Sequence, residues 1–487
     1  MEDNKLKKQK KKASLRSIIN QDIVKVSIFF AVLFFAMAAF LVKFLAADAP
    51  TVINNTYNKR SDVMKRTVVR GNIYSADGDV LAYTQTDEEG NEMRIYPYGE
   101  DFFHVVGFED KGGMGLESSY NYYLLSSHDN IFNKITSEFS SKKLTGDNIV
   151  TTLNTGIQKK LNDILKDNEG AIVVIDPEDG SVLGMVSKPG YDPNYISQAW
   201  DSITGDTENS LLLNRVTQSG FTPGSTFKLF TLLEYYRREQ GNVSDFYYDC
   251  EGTLTVNGDT IGCPSGASHG MQDLKLAFAH SCNCAFSTIG LSLDLEQFAL
   301  HNKQLLFNTD LNLDIASGKS SFTLDAGSEN YMVMHTAFGQ GETLVVPMHL
   351  AMVTCAIANN GVLMKPHLVS HITDSYGNTV RTFENEEYAR LLTEDEAAFM
   401  KEYMRAVVTD GTASVLSYEG NYISYGKTGT AETKTNKAEG YDHSWFTGFA
   451  ENDGKRLVVC AMIENTQQAG ITGVWAVKQV FDYYFGY

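Results

Sequence analysis

Residues 221–236 read FTPGSTFKLFTLLEYY, and this stretch puts Ser225 three residues before Lys228. Pro223 and Gly224 are turn formers, and the run after them is mostly apolar, which predicts a loop that enters a buried helix. Positions i and i+3 of a helix lie on one face, so the serine and lysine side chains should meet at its first turn. Burying a lysine is costly unless the amine is paired or neutral. The pattern therefore indicates a function for the pair.

Composition describes a globular chain with room for two or three domains. Of the 487 residues, 43% are hydrophobic and 21% are charged, and the formal net charge is −19. The first 25 residues hold eight basic against three acidic side chains, which leaves about −24 for the rest of the chain. A nucleic-acid partner is not expected, because phosphate binding needs a basic surface.

The uncharged run VSIFFAVLFFAMAAFLV at residues 26–42 predicts a membrane span. We expect residues 1–22 to be a basic cytoplasmic tail and residues 23–47 to be a transmembrane helix, because lysines mark the cytoplasmic side. Everything after the span would then lie outside the cytoplasm. The alternative is a cleaved signal peptide, since Ala47-Asp48-Ala49 resembles a cleavage site, but the apolar run is longer than a usual signal core.

The six cysteines leave two interpretations open. Cys250 and Cys263 flank a predicted hairpin with its turn at Asn257-Gly258, and in an oxidising compartment they could form a disulfide. The other interpretation is six reduced, mostly buried thiols. The sequence contains neither a CxxC pair nor an HExxH helix, and its histidines are scattered, so metal catalysis has no support and no cofactor is predicted.

Periodicity predicts an α+β core built from distant segments. GAIVVIDPEDGSVLGMVS (170–187) and HSWFTGFAENDGKRLVVCAMIEN (443–465) each read as a two-stranded hairpin around an Asp-Gly turn. TGIQKKLNDILKDN (155–168) and GVWAVKQVFDYYF (473–485) read as helices. Hairpins at both ends with helices between them suggest one antiparallel sheet covered by helices.

Residues 48–147 form a smaller, β-rich region before this core. The segments NIYSADGDVLAYT (72–84) and RIYPYGEDFFHVVGF (94–108) predict strands interrupted by Asp-Gly and Tyr-Gly turns. We therefore expect a domain boundary at about residue 148.

Three short motifs carry the chemistry when they are taken together. Alone, Ser-x-x-Lys can occur by chance, HSCNCAF can be an ordinary helix cap, and YGKTGTAET can be an exposed turn. A nucleophilic serine needs a nearby base and donors for an oxyanion. In this order, the three motifs are the signature of penicillin-binding proteins and related β-lactamases. Their residues are Ser225 and Lys228, Ser281 and Asn283, and Lys427, Thr428, Gly429 and Thr430.

The chain thus resembles the class B penicillin-binding proteins over most of residues 66–487. RGNIYSADGDVLA (70–82) and GGMGLE (112–117) resemble elements of their pedestal, although Ser75-Ala76 departs from the usual Asp-Arg. FGQGE (338–342) resembles the stretch between the second and third motifs. The resemblance implies a pedestal domain at 48–147 and a penicillin-binding transpeptidase domain at 148–487, with a helix-covered antiparallel sheet and an all-helical subdomain.

The resemblance also implies a peptidoglycan D,D-transpeptidase that cross-links stem peptides through a serine acyl-enzyme. Ser225 would attack D-Ala-D-Ala, Lys228 would take its proton, and Lys427 would keep Lys228 neutral and attract the substrate carboxylate. Backbone N–H groups of Ser225 and Thr430 would form the oxyanion hole. The remaining implied site residues are Ser281 as proton relay, Asn283 as holder of the substrate amide and of Lys228, and Thr428 and Gly429 of the third motif.

By the same resemblance, β-lactam antibiotics would acylate Ser225, and a membrane-embedded SEDS-family glycosyltransferase would be the partner. A hydrolase, either a D,D-carboxypeptidase or a β-lactamase, shares the three motifs, but the anchor and the pedestal favour the transpeptidase. A β-lactam sensor would need a signalling module larger than the roughly 22 residues before the span. A non-catalytic scaffold would be free to lose Ser225, Lys228 and Lys427.

Overall fold

The computed structural model describes residues 2–44, 60–130, 143–206, 210–417, 421–432 and 442–486. The chain forms two compact units, residues 1–63 and 64–487. In the first unit, the helix Glu2–Lys43 contains the stretch Ile23–Lys43, whose mean hydropathy of 2.4 and length of 21 residues are sufficient for crossing a membrane. The end of the predicted span and the Ala47-Asp48-Ala49 sequence lie outside the described residues.

The elements of the described residues are labelled in chain order. The strands are β1 (Val68–Val69), β2 (Ile73–Tyr74), β3 (Val80–Thr86), β4 (Glu92–Ile95), β5 (Leu144–Thr145), β6 (Asn148–Thr151), β7 (Gly170–Ile175), β8 (Val182–Lys188), β9 (Tyr247–Cys250), β10 (Thr253–Val256), β11 (Asp259–Gly262), β12 (Gly270–Asp273), β13 (Val362–Met364), β14 (Val369–Thr373), β15 (Thr379–Thr382), β16 (Glu387–Arg390), β17 (Ile423–Glu432), β18 (Asp442–Asn452) and β19 (Lys455–Ile463). The helices are α1 (Glu2–Lys43), α2 (Arg60–Thr67), α3 (Phe103–Val106), α4 (Gly115–Ser119), α5 (Asn121–Leu124), α6 (Thr155–Leu165), α7 (Ile196–Gly205), α8 (Lys228–Arg238), α9 (Leu274–Ala279), α10 (Asn283–Ser292), α11 (Leu295–Gln304), α12 (Asn330–Ala337), α13 (Pro347–Ala358), α14 (Glu394–Thr409), α15 (Thr466–Ala469) and α16 (Gly473–Phe485).

A five-stranded antiparallel sheet in the order β17-β18-β19-β7-β8 forms the core. Both predicted hairpins are therefore confirmed. They pair with each other through strands β7 and β19, where Gly170 lies opposite Ile463. Every residue of β7 is buried, so both faces of the sheet are covered. The predicted helices α6 and α16 contact each other. Helix α6 packs on β8, and helix α16 packs on β18 and β19.

Helix α13 covers the same sheet through contacts with β7, β18 and β19, and all its residues are buried. The run PMHLAMVTCAIA begins with Pro347 at the first helical position, where the missing N–H removes no intrahelical bond. Helices α8, α10, α11, α12 and α14 pack around one another beside the sheet. The predicted α+β architecture with a helical subdomain is thus confirmed.

A second sheet has the order β15-β14-β6-β2-β3-β4. It joins strands from the predicted pedestal with β14 and β15, which come more than 200 residues later in the chain. Strand β6 pairs with β2 on one side and β14 on the other. The region around the proposed boundary at residue 148 is therefore the middle of a continuous sheet.

A buried ion-pair network connects the two pedestal motifs. Arg70, the first residue of RGNIYSADGDVLA, donates from Nε to Glu117 Oε2 at 2.6 Å, and Arg94 Nε donates to Glu117 Oε1 at 2.7 Å. Glu117 is the last residue of GGMGLE and is only 1% exposed. The two guanidinium groups lower the pKa of this carboxyl, against the opposing effect of its burial. The network compensates for burying three charged side chains.

Two local features of the pedestal could not be predicted from the sequence and became visible only in the structure. The prediction of strand for 94–108 is wrong beyond Ile95, because residues 99–106 form a 3-10 turn and helix α3 with a buried Phe102-Phe103 pair. A short apolar run does not reveal its period. At the departure Ser75-Ala76, Ser75 is buried and its Oγ accepts from the Asp79 N–H at 2.9 Å, whereas Ala76 is exposed.

The hairpin between Cys250 and Cys263 is confirmed as strands β10 and β11. Asn257 and Gly258 both have positive φ angles, 54° and 95°, as a tight two-residue hairpin turn requires. All six cysteines are buried free thiols. The Sγ atoms of Cys250 and Cys263 are 3.7 Å apart and are not bonded to each other. The structure therefore agrees with the interpretation of reduced thiols and not with the disulfide.

Candidate active site

The Ser225–Lys228 motif forms a 3-10 turn, Gly224–Phe227, that continues into α8. Side chains three apart eclipse in a 3-10 turn, and Lys228 Nζ lies 2.8 Å from Ser225 Oγ. Gly224 has φ +54°, and a Cβ there would lie 2.3 Å from the Thr430 carbonyl oxygen. Only glycine fits this approach, which brings the serine turn against the third motif.

The second motif lies in the tight turn between α9 and α10. Ser281 adopts φ +59°, an unusual conformation for a residue with a Cβ, and Asn283 begins α10. Lys228 Nζ donates to the Ser281 carbonyl oxygen at 2.9 Å, to Ser281 Oγ at 3.2 Å and to Asn283 Oδ1 at 2.7 Å. Asn283 Nδ2 donates to the Gly262 carbonyl at 3.0 Å, which fixes the orientation of its amide.

The third motif lies on β17, the edge strand of the core sheet. Lys427 Nζ donates to Ser281 Oγ at 2.9 Å and to the Thr428 carbonyl at 3.2 Å. The Ser281 hydroxyl therefore lies between two lysine amines. Lys228 and Lys427 are both fully buried, whereas Thr430 is exposed at the surface of the strand.

Close packing holds β17 against the serine turn. A Cβ on Gly429 would lie 2.9 Å from the Pro223 carbonyl oxygen and 3.0 Å from Trp445 Cβ. The Trp445 indole N–H also donates to the Thr222 carbonyl at 3.0 Å. The glycine of the third motif is therefore required by the contact between strand and turn.

The electrostatics favour a neutral amine in the site. Burial lowers the pKa of Lys228 to about 7. Burial, followed by repulsion from Lys228, lowers the pKa of Lys427 well below its usual value. Two ammonium groups bound to one buried hydroxyl repel each other, so we infer that only one of the two amines is protonated near neutral pH.

The structure adds neighbours that the sequence motifs did not indicate. Thr412, in the loop after α14, lies 2.5 Å from Thr428 through their two hydroxyl oxygens. Gln340 Nε2 donates to the Thr430 carbonyl at 3.5 Å, and the ring of Phe338 is 5.8 Å from Lys228 Nζ. Phe338 and Gln340 belong to the FGQGE segment. Its resemblance to the same stretch of class B penicillin-binding proteins was the sequence signal that could have placed these two residues near the site. Nothing in the sequence near Thr412 pointed to the site.

The eight predicted site residues thus come from three separate segments to one cleft. Hydrogen bonds join Ser225, Lys228, Ser281, Asn283 and Lys427 directly, while the other three lie along β17 beside them. A neutral Lys228 can accept the serine proton, and the Ser281 hydroxyl can pass a proton between the amines. This arrangement supplies a nucleophile, a base and a relay, and the roles of the individual residues remain predictions.

Comparison with known proteins identifies the family of the chain. Residues 170–481 match the sequence profile of the penicillin binding protein transpeptidase domain. Residues 70–149 match that of the penicillin binding protein A dimerisation domain. Among curated proteins, the chain is 28% identical over 466 residues to peptidoglycan D,D-transpeptidase PbpA of Mycolicibacterium smegmatis, covering 88% of this chain and 92% of that protein.

Solved structures show the same fold. The penicillin G acyl-enzyme complex of penicillin-binding protein A from M. tuberculosis matches with a TM-score of 0.75 at 26% identity, covering 85% of this chain and 99% of the other. The D,D-transpeptidase domain of a peptidoglycan glycosyltransferase from Eggerthella lenta gives a TM-score of 0.75 at 26% identity, covering 86% and 99%. The resemblance predicted from the motifs is therefore confirmed, and the chain belongs to the penicillin-binding protein transpeptidase family.

Proposed function

We propose that this protein is a membrane-anchored peptidoglycan D,D-transpeptidase that forms a serine acyl-enzyme on D-Ala-D-Ala stem peptides and is inhibited by β-lactams. The observation that carries the proposal is the hydrogen-bonded set Ser225, Lys228, Ser281, Asn283 and Lys427 inside the transpeptidase fold. The relative PbpA is named a peptidoglycan D,D-transpeptidase, and the penicillin-binding protein A neighbour forms an acyl-enzyme with penicillin G.

In the acylation step, Ser225 Oγ bonds to the carbonyl carbon of the penultimate D-alanine while its proton moves to Lys228 Nζ. The peptide bond to the last D-alanine then breaks. The proton reaches the leaving amine through the Ser281 hydroxyl, which is 3.2 Å from Lys228 Nζ, and free D-alanine departs. Backbone N–H groups of Ser225 and Thr430 would stabilise the oxyanion, a contribution of roughly 2.7–4 kcal/mol per donor in other enzymes.

Lys427 would respond to the substrate carboxylate. A carboxylate bound beside Thr428 and Thr430 favours protonation of the nearer amine, Lys427, because opposite charges stabilise each other in a low-dielectric site. With the shared proton held by Lys427, Lys228 is neutral and ready to act as the base. Substrate binding would in this way prepare the nucleophile.

In the second step, an amine of a neighbouring stem peptide attacks the acyl-enzyme carbonyl. The amine loses a proton to Lys228, the ester bond to Ser225 Oγ breaks, and the serine recovers its proton. The products are a cross-linked peptide and free enzyme. A β-lactam would follow the acylation step, with its opened ring remaining attached.

The test is acylation of the detergent-solubilised full chain by a fluorescent penicillin, followed by intact mass and peptide mapping. We expect a stable adduct on Ser225 that is missing in Ser225→Ala and present in the matched control Ser202→Ala, which changes an exposed serine of helix α7. The same preparation should release D-alanine from a stem pentapeptide and join the acyl group to an added amine. Rapid return to unmodified protein with hydrolysed drug would indicate a β-lactamase instead, and absence of any adduct would favour a scaffold.

We also propose the finer topology, with residues 1–22 in the cytoplasm and residues 48–487 outside, comprising the pedestal and the catalytic domain. The cluster of lysines before the apolar stretch supports this orientation. A C-terminal alkaline phosphatase fusion should be active and a fluorescent protein fusion at the N-terminus should fluoresce; the reverse pattern contradicts the orientation. The proposed SEDS-family partner rests on the resemblance, and co-purification in detergent tests it.

A further inference from the structure

Beside the second motif lies a cluster of sulfur and nitrogen atoms that the proposed mechanism does not use. The Sγ atoms of Cys250, Cys263 and Cys282 and a ring nitrogen of His269 all lie within 4.8 Å of one another. The three cysteines are buried and the histidine is half-buried. A fourth thiol, Cys284, lies 3.6 Å from Cys263 Sγ.

Three of the contacts among these four atoms have the spacing of ligands around one metal ion, and all six separations lie within 4.8 Å. The Sγ–Sγ distances are 3.7 Å for Cys250–Cys263 and 3.7 Å for Cys263–Cys282, and Cys250 Sγ lies 3.4 Å from His269 Nδ1. Tetrahedral zinc with Zn–S bonds of about 2.3 Å and Zn–N bonds of about 2.0 Å separates its ligands by roughly 3.5–3.8 Å. A disulfide would need a separation of about 2.05 Å. The group is therefore spaced for a shared ion.

Three different structural elements hold the ligand atoms. Cys250 ends β9 and lies opposite Gly270 of β12, which directly follows His269, so this strand pair fixes two ligands side by side. Cys263 follows β11, and its N–H donates to the Gly252 carbonyl at 2.9 Å. Cys282 is the N-cap of α10, where its Sγ accepts from the Ala285 N–H at 3.4 Å. Backbone pairing and hydrogen bonds thus hold Cys250, Cys263 and Cys282 in place.

We propose that Cys250, Cys263, His269 and Cys282 bind one structural Zn²⁺ ion. Three thiolates and an imidazole are the ligand types that zinc prefers, and four protein ligands close the coordination sphere, as in structural sites rather than catalytic ones. Zn²⁺ replaces the three thiol protons, which pass to solvent. The ion is a further component of the protein, independent of whether the transpeptidase activity proposed above is correct.

The site would act on the catalytic cleft through one residue. Cys282 lies between Ser281 and Asn283, the two residues of the second motif that contact Lys228. Ser281 adopts φ +59°, which is unfavourable for a serine and persists only where the surroundings hold it. A metal bound to Cys282 would hold this turn at the residue between the two that contact Lys228. Cys282 is thus a positioning residue.

Metal content of the detergent-solubilised full chain, purified without added zinc, tests the proposal. We expect about one zinc per chain by mass spectrometry. Cobalt exchanged into the site should show the sulfur-to-metal charge transfer and the visible bands of tetrahedral thiolate coordination. Occupancy should fall about tenfold or more in Cys263→Ala and His269→Ala. It should be unchanged in Cys460→Ala, which removes a buried thiol from β19 of the core sheet.

Two results would overturn the proposal. One is wild-type protein with negligible zinc that also fails to take up cobalt. The other is an intact mass lower by two hydrogens, with peptide mapping that finds a disulfide within the cluster. Loss of zinc in Cys284→Ala but not in His269→Ala would overturn the ligand set. If the variants do not fold, the metal content and the cobalt spectrum of the wild-type chain still decide the question, and neither depends on catalytic activity.

Discussion

The pH dependence of acylation is the most direct test of the role given to Lys228. The side chain is fully buried, and burial lowers its pKa to about 7. A base must be neutral, so the acylation rate should follow the neutral fraction of this amine. With a pKa of about 7, the neutral fraction is about 0.01 at pH 5, about 0.5 at pH 7 and nearly 1 at pH 9.

The second-order rate constant for a fluorescent penicillin should therefore rise about 50-fold from pH 5 to pH 7 and only about twofold more by pH 9. Stopped-flow fluorescence at drug concentrations below saturation measures this constant. Lys228→Arg should lose about 10²–10⁴-fold at pH 9 and should show no rise in rate between pH 5 and pH 9, because a guanidinium cannot act as a base in this range. Lys275→Ala, at a surface lysine, should keep the wild-type profile.

A rate that stays flat between pH 5 and pH 7 would refute the assignment, since a neutral base would then not limit acylation. A rate that keeps rising to pH 10 would also refute it, because Lys228 would then have the ordinary lysine pKa of about 10.4 despite its burial. Because Lys427 contacts the same hydroxyl, the observed pKa belongs to the pair of amines.

Three further outcomes are expected. Ser281→Ala should lower acylation by about 10²-fold with the fold intact, because it removes the hydroxyl between the two amines; a wild-type rate would exclude the relay. Glu117→Gln should lower the free energy of unfolding by about 3–5 kcal/mol in urea titrations, because Arg70 and Arg94 lose their shared carboxylate; Glu386→Gln, at an exposed pair, should change little. Zinc chelation should lower the acylation rate about tenfold or more, with recovery on adding Zn²⁺ but not Mg²⁺. Full activity of the metal-free protein would show that the ion does not hold the Ser281 turn in its active conformation.

Local sequence was sufficient for features whose cause is local. The hairpins at 170–188 and 442–463 were predictable because Asp-Gly and Asn-Asp-Gly turns join runs of β-branched and aromatic residues. Helices α6 and α16 were predictable from their apolar periodicity. The order of the three motifs was enough to predict the family, because each motif supplies one necessary part of the serine chemistry.

The tertiary structure decided which distant atoms meet. It joined β14 and β15 to the pedestal sheet and brought Glu117 between Arg70 and Arg94. It also brought the hydroxyl of Thr412 into hydrogen-bond contact with that of Thr428. Strand pairing and side-chain contact between residues far apart in the chain depend on the packing of the whole core, so no local pattern encodes them.

The cysteines show the same division most clearly. From the sequence alone, Cys250 and Cys263 could be a disulfide or two buried thiols, because the flanking hairpin is compatible with both. Only the fold brings His269, which precedes β12, and Cys282, the α10 cap, to the same cluster and gives thiol spacings of 3.7 Å. The sequence by itself therefore determined the family and the hairpins and predicted the residues of the candidate cleft, whereas the cluster of Cys250, Cys263, His269 and Cys282 arises from packing between separate segments.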